Sequence, residues 1–498
     1  MKELSHVRAS HVNFGTSIDP SQLGSSGKRG PEFRHPKLTV STEPNDVSAY
    51  GGLALAGAMV KQLKLPQAID AELRLLRRHR PFHESDHVLT HVYNLFVGGE
   101  SIEDITELQH SQAVRRMLGT ERIPDPSTAG DFLRRFERSD IEALDEVTDR
   151  MHQAVWHKRY GRKKQKLGIV DIDSHVHHVF GNQKEGADFT YKGGFGYHPL
   201  MLSLAGTQEC LRLVNRPGNV VSAEGAAEQI EQVAALLKSR FERVLLRGDS
   251  AFARQDIFDV CEQHRFCFAM VCPAHKNLGA LADAIPAEKW RVFRAHDKGN
   301  TVCPAHKKRR RRRENLRRAK ARARGKRDLR LIEQWESEIA YKPVRSKKPY
   351  RLIIRRQRIE ESHQGHLFEL WRYRYALTNL PHSYSAAKVL RLTYGRCDQE
   401  NVIEQLQNGV AAMRMPSGTL LANGALLACA RIAHNLKPWL AMLALPTEVM
   451  RWEWKRFRKA FVFIAARVVR KARQTRVRIA DSHRFAARVR LGVIKLQT

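Results

Sequence analysis

The fold is decided by two short stretches, IVDIDS at residues 169–174 and VLLRGDS at residues 244–250. Each predicts a strand, and each places an aspartate, Asp173 or Asp249, at the carboxyl end of that strand. Far downstream, a predicted helix supplies Glu400 within CDQENVIEQL. Carboxylate oxygens on rigid elements are the ligands that a pair of Mg2+ or Mn2+ ions needs for phosphoryl transfer. The sequence therefore predicts a site for two metal ions that is formed by a strand-end aspartate from each stretch and a glutamate from the helix.

The elements around these two strands follow a recognisable order. Three antiparallel strands followed by alternating helices and strands is the order of a ribonuclease H-like fold, whose first and fourth strands lie side by side. The chain is therefore predicted to have an α/β fold with a ribonuclease H-like mixed sheet as its core, in which Asp173 and Asp249 can meet. Ser222 is the predicted N-cap of the helix at residues 223–241. The pattern is strand, strand, strand, helix, strand, helix, strand over residues 167–173, 200–205, 210–214, 223–241, 243–247, 254–264 and 266–271.

The charge of the chain points to DNA as the partner. Its 498 residues carry 86 Lys and Arg against 52 Asp and Glu, a formal net charge of +34 that favours a polyanion. A membrane is the rival surface, but residues 420–443, the most apolar run, are interrupted by Arg431, His434 and Lys437. The N-terminus has no apolar core of a signal peptide, and seven scattered cysteines suit reduced thiols. We therefore expect a cytoplasmic protein.

Composition divides the chain into six predicted segments. Helical spacing prevails before the first strand, and a basic stretch separates the first strands from Glu400. The segments are a flexible arm (1–45), a helical N-terminal DNA-binding region (46–160), the first part of the catalytic core (161–275), a basic inserted domain (276–370), the second part of the core (371–445) and a basic C-terminal segment (446–498).

Two groups of arginines are predicted to contact DNA. Residues 307–327 contain fourteen Lys or Arg and one acid. Like-charge repulsion is expected to keep this run poorly ordered, or helical, until it binds phosphates. Arg134 and Arg135 lie on a predicted helix that a Ser or Thr of Pro126-Ser127-Thr128 would cap. That helix is either a recognition helix or an ordinary capped surface helix, and the pattern does not separate the two. The arginines taken from the basic run are Arg309, Arg310, Arg311, Arg312 and Arg313.

Six motifs together resemble the DDE transposases of bacterial insertion sequences over roughly residues 49–490. They are, in chain order, DIDSH, YKGGFGYHPL, RPGN, RGDSAF, YALTNL and RCDQENVIEQL. The resemblance implies a ribonuclease H-like core interrupted by an insertion domain, with Asp173, Asp249 and Glu400 as the metal-binding triad. It also implies an enzyme that binds terminal inverted repeats as a homodimer, cleaves the element ends and joins the 3′-hydroxyl to target DNA near the bacterial nucleoid.

The resemblance also bears on single positions. Asp171 and Asp173 share one face of a strand, so geometry does not choose between them. The family places a small or hydroxylated residue after the catalytic aspartate, which selects Asp173, followed by Ser174, and leaves Asp171 as a possible supporting carboxylate. An arginine four residues before the glutamate, here Arg396, selects Glu400 over Glu404 and implies a phosphate contact. Two family positions that grip DNA depart from the pattern, since Thr393 replaces a tyrosine and Gln407 a lysine.

The sequence also leaves open a possible zinc site and two rival functions. Cys272 and His275 recur in spacing as Cys303 and His306, which is a possible zinc set, although the resemblance demands no metal there. No phosphate-binding glycine loop of the GxxxxGK[ST] or GxGxxG type occurs, so no nucleotide cofactor is expected. The rival functions are a ribonuclease H-like nuclease without strand transfer and a DNA-binding repressor derived from a transposase.

Overall fold

The computed structural model describes residues 46–181, 183–294, 315, 323, 329–361, 370–471 and 474–498. The predicted arm, 1–45, and most of the basic run, with Arg309–Arg313, lie outside the described residues. From residue 45 onward the chain forms one compact unit.

Helices occupy the chain between residues 53 and 160. The longest, α7, begins with a capping box in which Glu137 and Asp140 satisfy each other's backbone N–H groups. Helix α6 is capped by Asp125, whose carboxylate accepts from the backbone of Thr128, so the predicted Ser or Thr cap is wrong and the helix starts earlier than expected. The helices are α1 (Leu53–Gln62), α2 (Leu65–Glu72), α3 (Glu84–Val97), α4 (Ile105–His110), α5 (Gln112–Leu118), α6 (Pro126–Leu133) and α7 (Arg138–Tyr160).

Five strands form the centre of a large mixed sheet, and two helices connect the last three of them along the chain. The first of these five strands in sequence, β2 (Gln165–Ser174), is antiparallel to β6 and parallel to β8, while β7 flanks β6 and β9 flanks β8. The spatial order is thus β7-β6-β2-β8-β9. These elements are β2 (Gln165–Ser174), β6 (Leu200–Leu204), β7 (Glu209–Val214), α8 (Ala226–Arg240), β8 (Phe241–Gly248), α9 (Gln255–Gln263) and β9 (Cys267–Cys272).

Helix α8 starts three residues later than predicted. Its cap position is Gly225, with φ of 69° in the left-handed region that favours glycine, and Ser222 is therefore not the cap.

Strands β10 to β12 of the predicted insertion extend the same sheet through β13, which lies at the start of the predicted second part of the core. Strand β13 pairs antiparallel with β9, β12 with β13, β11 with β12 and β10 with β11. Nine described strands are therefore continuous, in the order β10-β11-β12-β13-β9-β8-β2-β6-β7. The added elements are α10 (Lys276–Asp283), β10 (Arg291–Val292), β11 (Leu329–Tyr341), β12 (Tyr350–Glu361) and β13 (Leu370–Thr378).

The remaining elements are two small sheets and the helices of the C-terminal part of the chain. Short strands form two three-stranded sheets, β3-β5-β4 and β1-β14-β15. No helix in the described part of the chain is long and apolar enough to cross a membrane. The elements are β1 (Val47–Ser48), β3 (His177–His178), β4 (Asp188–Phe189), β5 (Phe195–Tyr197), α11 (Ala386–Tyr394), α12 (Cys397–Glu404), α13 (Leu420–Leu443), α14 (Trp454–Phe461), β14 (Ala466–Lys471), β15 (Gln474–Ile479) and α15 (Ala486–Gln497).

A buried carboxylate joins α7, β7 and α13 behind the sheet. Glu209 has no exposed surface and accepts hydrogen bonds from the indole N–H groups of Trp156 and Trp439, at 3.0 and 3.1 Å. His152 Nδ1 lies 2.9 Å from the same carboxylate, and the Thr207 hydroxyl donates at 2.8 Å. Each of these groups around Glu209 thus has a partner, which is the condition for tolerating a charge in a core.

Candidate active site

The two predicted catalytic aspartates end neighbouring strands. In the parallel pairing of β2 and β8, Asp171 lies opposite Arg247, so continuing that register by two residues brings Asp173 opposite Asp249. Asp173 Oδ1 accepts from the N–H of Ser174 at 2.8 Å. Asp249 Oδ1 accepts from the N–H of Ala251 at 2.9 Å and caps a single helical turn. Backbone hydrogen bonds therefore orient both carboxylates at one edge of the sheet.

Electrostatics at this edge favour a bound cation. Burial raises the pKa of Asp173, and the neighbouring charges of Asp249 and Asp171 raise it further, while Arg396 and the Ser174 N–H oppose the rise. Carboxylates crowded into a partly desolvated site repel one another, and a divalent cation between them relieves that repulsion.

Asp171 is committed to a partner of its own. It is fully buried, and both of its oxygens accept from Arg247, Oδ1 from Nε and Oδ2 from Nη2, each at 2.7 Å. The sequence left Asp171 as a possible supporting carboxylate. The geometry gives Asp171 a buried structural partner, whereas Asp173 is half-buried and contacts Arg396.

The helix that carries Glu400 is fastened to β2 and its neighbour β6. Arg396 Nη2 donates to Asp173 Oδ2 at 3.0 Å and to the carbonyl of Ile172 at 3.1 Å. Gln399 is buried, and its side-chain oxygen accepts a short hydrogen bond from the hydroxyl of Ser203 on β6. Glu400 is exposed and lies four residues after Arg396, one helical turn along α12.

The three acidic side chains do not form one tight cluster. Among the described residues, the group of three potential metal ligands whose ligand atoms all lie within 4.8 Å is His79, His83 and Glu84. The predicted triad is therefore wider than that limit. Its donors are all carboxylate oxygens, which suit a hard cation such as Mg2+ or Mn2+, so the residues present fit the metals that the sequence implied.

Other predicted site residues lie elsewhere. Arg134 and Arg135 are exposed and directly follow the last residue of α6, and Arg134 pairs with Asp131. Cys303 and His306, half of the possible zinc set, fall outside the described residues. Burial raises the pKa of the Cys272 thiol to about 12.

Two of the family-like motifs contribute residues near Asp173 for which the sequence predicted no role. His198, from YKGGFGYHPL, lies with Nε2 2.9 Å from the Ser174 hydroxyl and Nδ1 3.0 Å from the carbonyl of Val220. Arg216, from RPGN, donates through Nε to the carbonyl of His198 at 2.8 Å. These residues support the segment that follows Asp173, and their membership of the motifs was the signal available.

The fold and site define a mixed α/β protein with acidic residues on neighbouring strands. A family model described as "Transposase DDE domain group 1" matches residues 31–498, and the chain therefore belongs to this family of transposases. Family membership implies a metal-dependent enzyme that acts on DNA.

The chain is less similar to individual proteins than to the family model. Seven chains of solved structures match. One of these is a cryo-EM structure of the piggyBac transposase synaptic complex with hairpin DNA, with 11% identity, 82% of each chain covered and a TM-score of 0.32. No curated protein matches.

Proposed function

We propose that the protein is the transposase of a bacterial insertion sequence, which binds terminal inverted repeats, cleaves the element ends and joins the 3′-hydroxyl to target DNA. The observation that carries this proposal is the parallel pairing of β2 with β8, because the register that pairs Asp171 with Arg247, continued by two residues, would bring Asp173 beside Asp249. The strand order β7-β6-β2-β8-β9 supports a ribonuclease H-like core.

Asp173, Asp249 and Glu400 would hold two Mg2+ or Mn2+ ions, which supply Lewis-acid activation of the attacking oxygen and stabilisation of the leaving oxygen when bound. The chain's own residues provide the frame. The N–H groups of Ser174 and Ala251 fix the two aspartates, and Arg396 holds α12 against Asp173.

Arg396 would also contact phosphate. Its described hydrogen bonds use Nη2, and a guanidinium has five N–H donors, so donors remain for an anion. Further DNA contacts would come from Arg134 and Arg135 in the helical N-terminal region and from Arg309–Arg313. A homodimer would bring two element ends together, without a nucleotide cofactor.

The test compares isosteric variants of the triad with a neighbour on the same helix. Asp173→Asn, Asp249→Asn and Glu400→Gln should each abolish Mg2+-dependent cleavage of end DNA while gel retardation stays nearly unchanged, since they remove a metal ligand and leave the phosphate contacts. Glu404→Gln is the matched control, because Glu404 is also exposed and lies one turn further along α12. Full cleavage by Asp249→Asn, or loss of cleavage with Glu404→Gln alone, would show that the assignment is wrong.

The same assay separates the rival functions. A nuclease releases the ends without forming a joined product, and a repressor binds the ends without cutting them. Incubating a labelled, pre-cleaved end with supercoiled plasmid scores joining directly.

A further inference from the structure

A buried ion pair lies directly beneath the predicted metal site. Asp171 and Arg247 are paired on β2 and β8, two residues before Asp173 near the end of β2 and Asp249 just after the end of β8. Both side chains are almost fully buried, and the contact is bidentate with both distances at 2.7 Å. The pair therefore ties together the two strands that carry the aspartates.

Arg247 has a second set of partners on a distant segment. Its Nη1 donates to the carbonyls of Leu392 and Gly395, at 2.9 and 3.1 Å. These carbonyls lie at the C-terminal end of α11, where a cation is favoured; the Leu392 carbonyl also accepts from the N–H of Gly395 at 3.3 Å. The next residue after Gly395 is Arg396, and Glu400 follows one turn later. One guanidinium thus spans Asp171 and the start of the helix that bears Glu400.

A buried ion pair is weak evidence for a gain in stability, because desolvating two charges is costly and replacing such a pair by apolar residues of similar volume is often neutral or stabilising. The pair does impose a geometry, because a planar guanidinium fixes several acceptors at once.

We propose that Arg247 and Asp171 are positioning residues for the metal site, which hold the α11–α12 junction and thereby fix the helix of Glu400 relative to the two strands that lead to Asp173 and Asp249. Neither side chain ligates metal. Their loss lets α12 drift from β2, which separates the third carboxylate from the other two. The inference rests on the proposed function for the identity of the ligands, but the fastening of α12 does not depend on it.

The experiment uses the full chain and a paired substitution, Asp171→Leu with Arg247→Met, which removes both charges and keeps apolar volume. Two readouts are followed, hydrogen exchange of residues 397–404 in the metal-free protein and Mn2+ binding by titration calorimetry. We expect faster exchange in that segment and Mn2+ binding weakened about 10–100-fold, the usual effect of losing groups that orient metal ligands.

The matched control is Asp149→Leu with Arg212→Met. This pair is also bidentate and largely buried, with both distances at 2.7 Å, but it joins α7 to β7. It should leave exchange of residues 397–404 and Mn2+ binding unchanged. Unaltered exchange in the Asp171/Arg247 variant, or the same change in the control, would overturn the proposal.

A second variant covers failure of the first to fold. Arg247→Lys keeps a charge beside Asp171, but a single ammonium does not reproduce the fork that reaches both carbonyls, so the same two changes are expected. Wild-type exchange in a folded Arg247→Lys protein would refute the role. Failure of the wild type to bind Mn2+ would count against the proposed function, whereas the exchange measurement would still decide the positioning role.

Discussion

Replacing Glu209 should show how much the buried hydrogen bonds to its carboxylate contribute to the free energy of unfolding. Glu209→Ala removes the acceptor of three buried ring N–H groups, those of Trp156, Trp439 and His152, which have at most 2% exposed surface. A buried donor without a partner costs about 1–3 kcal/mol. Glu209→Ala should therefore lower the free energy of unfolding by about 3–9 kcal/mol before any cavity is counted. A typical total free energy of unfolding is about 5–15 kcal/mol.

The assay is urea unfolding followed by tryptophan fluorescence. Glu209→Gln keeps one acceptor oxygen and the shape of the side chain, so it should lose clearly less stability than Glu209→Ala. Glu231→Ala is the control, because Glu231 also pairs with a histidine, His264, at 2.6 Å but is 46% exposed, and its loss should stay within about 0.5 kcal/mol. A Glu209→Ala protein as stable as this control would refute the reasoning.

Three further predictions concern other sites. Burial, and then the charge of Arg458, lowers the pKa of Lys437 to about 7. The unfolded chain therefore binds more protons between pH 7 and the ordinary lysine value, so stability should rise with pH across that range; Lys437→Met should flatten the rise in urea midpoints between pH 7 and 9. Asp125→Ala removes the cap of α6 and should cost about 0.5–2 kcal/mol in the same assay, whereas Asp125→Asn should lose little. Changing Arg309–Arg313 to Ser should flatten the slope of log affinity against log salt, by about 0.9 per lost phosphate contact on duplex DNA, for specific and random duplexes alike; an unchanged slope would mean that the run does not contact phosphates.

Local sequence was sufficient for the elements around the site. The runs that end in Asp173 and Asp249 form strands as predicted, because buried strands and their flanking turns leave a short-range pattern. Family membership also followed from short motifs, each of which is local. Element ends were less certain, as the caps Asp125 and Gly225 show, because a cap depends on backbone geometry and not on residue type alone.

Contacts between distant segments were decided by the tertiary structure. Asp171 and Asp173 are equivalent on an isolated strand, and they differ because Arg247, 76 residues away, engages one of them while Arg396, 223 residues away, contacts the other. The joining of the insertion strands to the main sheet is likewise invisible locally, since any strand edge offers the same backbone donors and acceptors. The sequence by itself therefore determined the strands, the family and the candidate carboxylates. Only the folded chain decided which strand carboxylate is buried against Arg247 and what holds the helix of Glu400, because burial and pairing of charge depend on residues that the chain brings together from far apart.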